Sequence, residues 1–146
     1  MRQLERRRRR LRGIALVEYA LATPLLLTIL AVGLDYGKAM RTAGAVSAAA
    51  RAGAAWGSLS PVNAANTNGI QSAAVNSAPD ISGLTVTAAQ FCECPGGSAV
   101  NCTGSCTGSM LMYVRVNARA TVTSFFSYSG LSMGGTTSAQ AVMRVQ

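Results

Sequence analysis

The sequence has 146 residues, with 13 Lys+Arg against 5 Asp+Glu, a formal charge of +8 and no histidine. It therefore lacks His-based triads and His-assisted metal sites, and its five acids, Glu5, Glu18, Asp35, Asp80 and Glu93, are too dispersed to suggest a paired-carboxylate enzyme. Apolar residues make up 49% of the chain but aromatics only 5%, and much of the apolar share is alanine, which predicts a thin core for any exported domain.

The charge sits at one end. Arg2, Arg6, Arg7, Arg8, Arg9, Arg10 and Arg12 face only Glu5 within residues 1–13, and the rest of the chain is nearly neutral. A nucleic-acid-binding domain would spread its cations over a folded face, so nucleic acid is not expected as a partner. The arginines are followed by GIALVEYALATPLLLTILAVGL, residues 13–34, with Glu18 as the single charge. A helix of that length rises ~33 Å, enough to cross a hydrocarbon core of ~30 Å. A basic flank before one apolar span predicts a cytoplasmic leader, residues 1–13, a transmembrane helix, 14–34, and export of the residues beyond it. A buried core helix is the competing reading, but the remaining Ala- and Ser-rich residues could hardly surround it.

Glu18 lies four residues after Ile14. A carboxylate in an apolar span is costly and calls for a reason. One reason is that it reaches the cytoplasmic interface. The other is a cut after Gly13, which would make Ile14 the first residue and create an α-amino group, ordinarily positive at neutral pH. Glu18 could compensate that charge within its own helix, at i,i+4, or on a neighbouring chain. The sequence leaves both open.

An Arg-rich leader, a glycine, four apolar residues, a glutamate and an aromatic resemble the class III signal of type IV prepilins. The string Gly13-Ile14-Ala15-Leu16-Val17-Glu18-Tyr19-Ala20 and the later Asp35-Tyr36-Gly37 are similar to TadE-like pseudopilins of the tight-adherence (Tad, or Flp) pilus. The resemblance implies cleavage between Gly13 and Ile14 by a membrane prepilin peptidase, and an assembly charge at Glu18. It implies a pilin-like α+β fold and a structural role, as a minor pilin or pseudopilin rather than an enzyme, with no cofactor. Implied partners are the peptidase, other pilins and pseudopilins, the inner-membrane pilus platform and membrane lipid. The implied location is the bacterial cytoplasmic membrane, N-terminus inside, with possible incorporation into the pilus. Two other function classes compete: a single-pass anchored binding domain unrelated to pili, and a secreted disulfide-containing protein released by an ordinary signal peptidase.

Pro24 predicts a kink near residues 21–24. It reads equally as a flexible point for assembly and as a tolerated membrane proline. Beyond Leu34 the helical pattern continues through Ala-rich residues 35–57, so one helix of ~60 Å is expected from about Ile14 to Ala55. Small residues four apart, Gly33 with Gly37 and Ala45 with Ala49 and Gly53, suit close helix packing or simply contact with the protein's own sheet. Residues 58–146 form the expected exported domain. Within it, residues 58–69 read as a loop, 66–77 as a short helix and 84–91 as a strand.

Cys92, Cys94, Cys102 and Cys106 lie in a loop rich in Gly, Ser and Thr. Their spacing lacks the paired knuckles of a zinc site, and the exported location favours two disulfides, with no metal expected. A Cys92–Cys94 bond would be strained, so both bridges should cross to Cys102 and Cys106, in a pairing the sequence leaves open. A catalytic thiol is not expected without histidine. Residues 110–122 alternate as the clearest strand, with Arg115 and Arg119 on its polar face. Phe125, Phe126 and Tyr128 are expected to pack at the domain edge, before a turn over 129–135. The last strand is expected over 136–145. The predicted domain is a three-stranded antiparallel sheet packed on the outer half of the long helix.

Overall fold

The computed structural model describes residues 2–126 and 134–146, with side chains from Leu16 onward. Tyr128 and most of the turn expected over 129–135 lie outside the described residues. The chain runs as helix α1 (Arg2–Ser58), short helices α2 (Pro61–Ala65) and α3 (Thr67–Asn76), then strands β1 (Thr85–Glu93), β2 (Ala99–Val100), β3 (Leu111–Val122) and β4 (Gly135–Arg144). It divides into two units, one ending at Gly37 and the other running from Lys38 to Gln146. The class is α+β, an N-terminal apolar helix and a small antiparallel sheet.

In the first unit the large apolar side chains of α1 from Leu16 to Leu30 lie exposed. Leu16, Val17, Leu21, Leu25, Leu26, Leu27, Ile29 and Leu30 are all exposed. Polar side chains there turn inward on the helix itself. Thr23 donates to the Tyr19 carbonyl at 2.6 Å and Thr28 to the Pro24 carbonyl at 2.7 Å. Such i−4 bonds let hydroxyls sit in an apolar setting without losing a partner.

The second unit is built on the outer part of α1. Val46, Ala49, Ala50 and Ala54 join Ile70 and Ala74 of α3 and Val114, Val116 and Ala118 of β3 in one core cluster. Alanine supplies half of the buried apolar positions among the described residues. Elements must therefore approach closely, and glycine makes the approach possible. A Cβ on Gly57 would meet Ile70 and Val114 side chains at 3.0–3.1 Å, and one on Gly53 would meet Ala74 and the Ile70 carbonyl at 3.1 Å. Ile70 is the largest fully buried side chain described.

The sheet order is β2-β1-β3-β4, all antiparallel. Strand β3 buries Val114, Val116, Ala118, Ala120 and Val122 and exposes Arg115, Arg119 and Thr121, following the alternation in its sequence. Three elements differ from expectation. Residues 58–69 are not all loop, because Pro61 opens α2 and the Ser60 hydroxyl accepts from the Asn63 N–H at 3.2 Å. A Ser cap followed by proline at the first helical position is a strong local start. The sheet has a fourth strand, the two-residue β2, pairing Cys92 with Val100 and Glu93 with Ala99. The chain reverses through Gly96 and Gly97, at φ 112° and 85°, where side chains are disfavoured. Helix α1 also begins at Arg2 rather than Ile14, because the arginine-rich N-terminal run is itself helical.

Candidate functional site

The candidate residues fall in separate places. Gly13, Ile14, Glu18 and Pro24 are strung along α1 in the first unit, and the cysteines belong to the second. At Gly13 and Ile14 the backbone is helical, so Ile14 and Glu18 are one turn apart on one helix face. Glu18 is exposed, and Tyr19 beside it is 74% exposed. From Leu16 the helix is long and apolar enough to cross a membrane, with a mean hydropathy of 1.8 in its apolar 18-residue window and none of that window buried. A helix that is apolar on every side needs lipid or other helices around it. It could serve as a membrane anchor.

The small residues split into two groups. Gly53 and Gly57 are consumed by α3 and β3, and Ala49 is fully buried. Gly33 and Gly37 instead face open space, with nothing within 4 Å of the place a Cβ would occupy. Of the small-residue pairs read from the sequence, this one remains available for helix packing against another chain. Asp35, between the two glycines, is 4% exposed.

Cys92 pairs with Cys102 and Cys94 with Cys106, at Cα separations of 5.1 and 5.6 Å. The bridges are interleaved rather than nested. The β1–β2 register explains this: Cys92 sits opposite Val100, which brings Cys102, two residues on, within reach. All four thiols are thereby used, and no cysteine is free. Among the described residues no group of three or more His, Cys, Asp or Glu could hold a metal ion.

On the solvent face of the sheet, Phe91 and Tyr113 stack with ring centroids 5.3 Å apart. The Arg115 guanidinium lies 4.6 Å from the Phe91 ring centre. Arg115 is thus held by an aromatic rather than merely solvated. Gln140 donates to Asn117 at 2.7 Å beside it. Arg41 and Asp80 form an ion pair at 3.3 Å that is about three-quarters exposed on both sides, which contributes little.

A contact that sequence reasoning missed lies at the start of the second unit. The Lys38 ammonium sits 4.1 Å from the centre of the Phe125 ring and donates to Thr123 Oγ1 at 3.2 Å. A lysine one turn after the apolar run and a Phe-Phe doublet were both visible in the chain. Their meeting depends on where β3 ends.

These features define a class: an apolar N-terminal helix suited to anchoring, carrying a small disulfide-bonded α+β domain. Within it, residues 13–55 match the family model described as TadE-like protein. The match starts at the glycine before the apolar run and ends within α1. No curated protein and no solved structure matches the chain. The matched segment is similar to TadE-like proteins and points to a part in the Tad pilus system, a structural setting rather than a catalytic one.

Proposed function

We propose that the protein is a minor pilin or pseudopilin of the Tad (Flp) pilus, held in the bacterial cytoplasmic membrane by α1 and processed between Gly13 and Ile14 by a prepilin peptidase. The observation that carries the reading is the match over residues 13–55, which covers the exposed apolar helix and its glutamate and leaves out the arginine leader. In this reading the leader stays on the cytoplasmic side by the positive-inside rule and is removed there. The liberated α-amino group of Ile14 meets Glu18, in its own helix or that of a neighbour. Pro24 leaves the Ala20 carbonyl without its intrahelical donor, a local weakness that eases packing among other pilins or on the platform. Gly33 and Gly37 present a surface on which another helix can approach closely.

N-terminal sequencing of the protein recovered from cells tests the cleavage. A start at Ile14 is expected. An intact leader would indicate a plain anchored domain, and a start beyond residue 40 a secreted protein. Glu18→Ala is expected to be inserted and cut normally but to reduce pilus assembly at least roughly tenfold, the scale of losing a ~1.4 kcal/mol interaction. Normal piliation in that variant would remove the charge-pairing role. Pilus counts by electron microscopy, beside immunoblots of the processed form, make the comparison.

A further inference from the structure

We propose that the solvent face of the sheet is a binding surface for an acidic polysaccharide, with Arg115, Arg119 and Arg144 taking the carboxylates of successive uronic acid units. The site belongs wholly to the second unit and rests on neither the anchor nor the cleavage.

Strand register gathers the three arginines. Side chains of β3 alternate, so Arg115 and Arg119 leave the sheet on the side opposite the buried Val114, Val116 and Ala118. They are four residues apart, ~14 Å along the strand. Arg144 of β4 pairs with Tyr113, which places it diagonally next to Arg115, at ~7–8 Å. The three mark a stripe of roughly 20 Å, and all are exposed. Their charge is uncompensated. Elsewhere in the unit Arg41 pairs with Asp80, and Lys38 donates to Thr123 and lies on the Phe125 ring. Arg115, Arg119 and Arg144 form no ion pair among the described residues. Glu93, the one acid on this face among those residues, sits at its β1 corner opposite Leu111. A row of like charges repels itself and attracts a polymer whose anions recur along it.

What lies between the arginines selects the chemistry. Thr87, Asn117 and Gln140 form the row between Arg115 and Arg119, with Gln140 donating to Asn117 at 2.7 Å, and Ser138 stands opposite Arg119. These hydroxyls and amides both donate and accept, as sugar hydroxyls require. A protein partner would be served by an apolar centre, and this row has none. Arg115 lies against the Phe91 ring, itself stacked on Tyr113, so its guanidinium loses little freedom on binding. The aromatic pair is engaged with itself and with Arg115 rather than laid out as separate platforms for bases, which sets nucleic acid aside. A flat strip with separated cations fits an extended chain, whereas a compact ligand would want a cavity.

The test is fluorescence anisotropy of end-labelled oligomannuronate with the full chain in a nonionic detergent. Gln replaces Arg6, Arg7, Arg8, Arg9, Arg10 and Arg12 throughout, so that the N-terminal run does not hold the probe. Binding is expected for oligomannuronate and not for a neutral cello-oligosaccharide of the same length. Arg115→Gln, Arg119→Gln and Arg144→Gln are each expected to weaken it about fivefold, and the three together about a hundredfold. Arg51→Gln removes the same charge from an exposed position on α1, which packs on the other side of the sheet, and is expected to change nothing. Phe91→Leu is expected to weaken binding about twofold while Arg115 is present and to have no effect in the Arg115→Gln background. An equal loss in both backgrounds would remove the positioning role of Phe91. Absence of binding at about 1 mM protein, or a loss in Arg51→Gln equal to that in Arg119→Gln, overturns the site. Oligoglutamate or oligothymidylate bound as tightly as oligomannuronate overturns the sugar assignment, because charge alone would then suffice. Trp56 fluorescence during denaturation, expected to be unchanged in each variant, separates lost binding from lost folding.

Discussion

Gly57 and Gly37 are the same residue type on the same helix, yet they do opposite things. At Gly57 the space a side chain would need is filled by Ile70 and Val114, whereas at Gly37 it is empty. Gly57→Leu is therefore expected to destabilise the domain by at least about 1–3 kcal/mol, the range for overpacking a fitted core. Gly37→Leu should leave domain stability unchanged or slightly raised through helix propensity, while impairing assembly if the helix packs there. Chemical denaturation followed by Trp56 fluorescence separates the two, since Trp56 lies against Gly69 next to this packing. The stripe of small residues was legible in the chain, but not which members were already taken. A spacing of four marks a helix face, and only the fold says what covers it. The same holds for Arg115, whose alternation placed it on the solvent side while its stacking on Phe91 needed the neighbouring strand.

At the scale of elements, local patterns were reliable where they were periodic. The alternation over 110–122 corresponds to β3, and the apolar positions Ile70 and Ala74 are the buried face of α3. Strand β2 was not legible, since two residues carry no period, and it exists because Gly96 and Gly97 turn the chain and the disulfides hold it. The two bridges are not equivalent. Cys92 is fully buried, whereas Cys94, Cys102 and Cys106 are partly exposed. Replacing Cys92 and Cys102 together by Ala should cost about 2–4 kcal/mol from loop entropy, and more from the vacated core space. The Cys94→Ala/Cys106→Ala pair should cost the entropic part alone. Thermal denaturation of the two double variants checks the order, and non-reducing peptide mapping checks the interleaved pairing.

For the whole molecule, the governing fact is that α1 carries no charge over residues 19–34 and is rich in small residues in the second unit. Leu26→Arg places a charge in the middle of the apolar run, a change of ~3 kcal/mol or more on insertion scales. Membrane-bound protein, measured by carbonate extraction and fractionation, is expected to fall sharply in that variant. Leu59→Arg, at an exposed position beyond the helix, should not change it.

Sequence by itself determined the arginine-rich N-terminal run, the apolar helix, the position of the glutamate within it, and the existence of a small disulfide-bonded α+β domain. Each of these is local: charge runs, hydropathy and two-residue alternation are written in consecutive positions. Tertiary structure alone decided the disulfide pairing, the fourth strand, which glycines are occupied, and the meeting of Lys38 with Phe125. Those depend on residues as far apart in the chain as Lys38 and Phe125 being brought together by strand register and by close packing of an alanine-filled core, which no local pattern encodes.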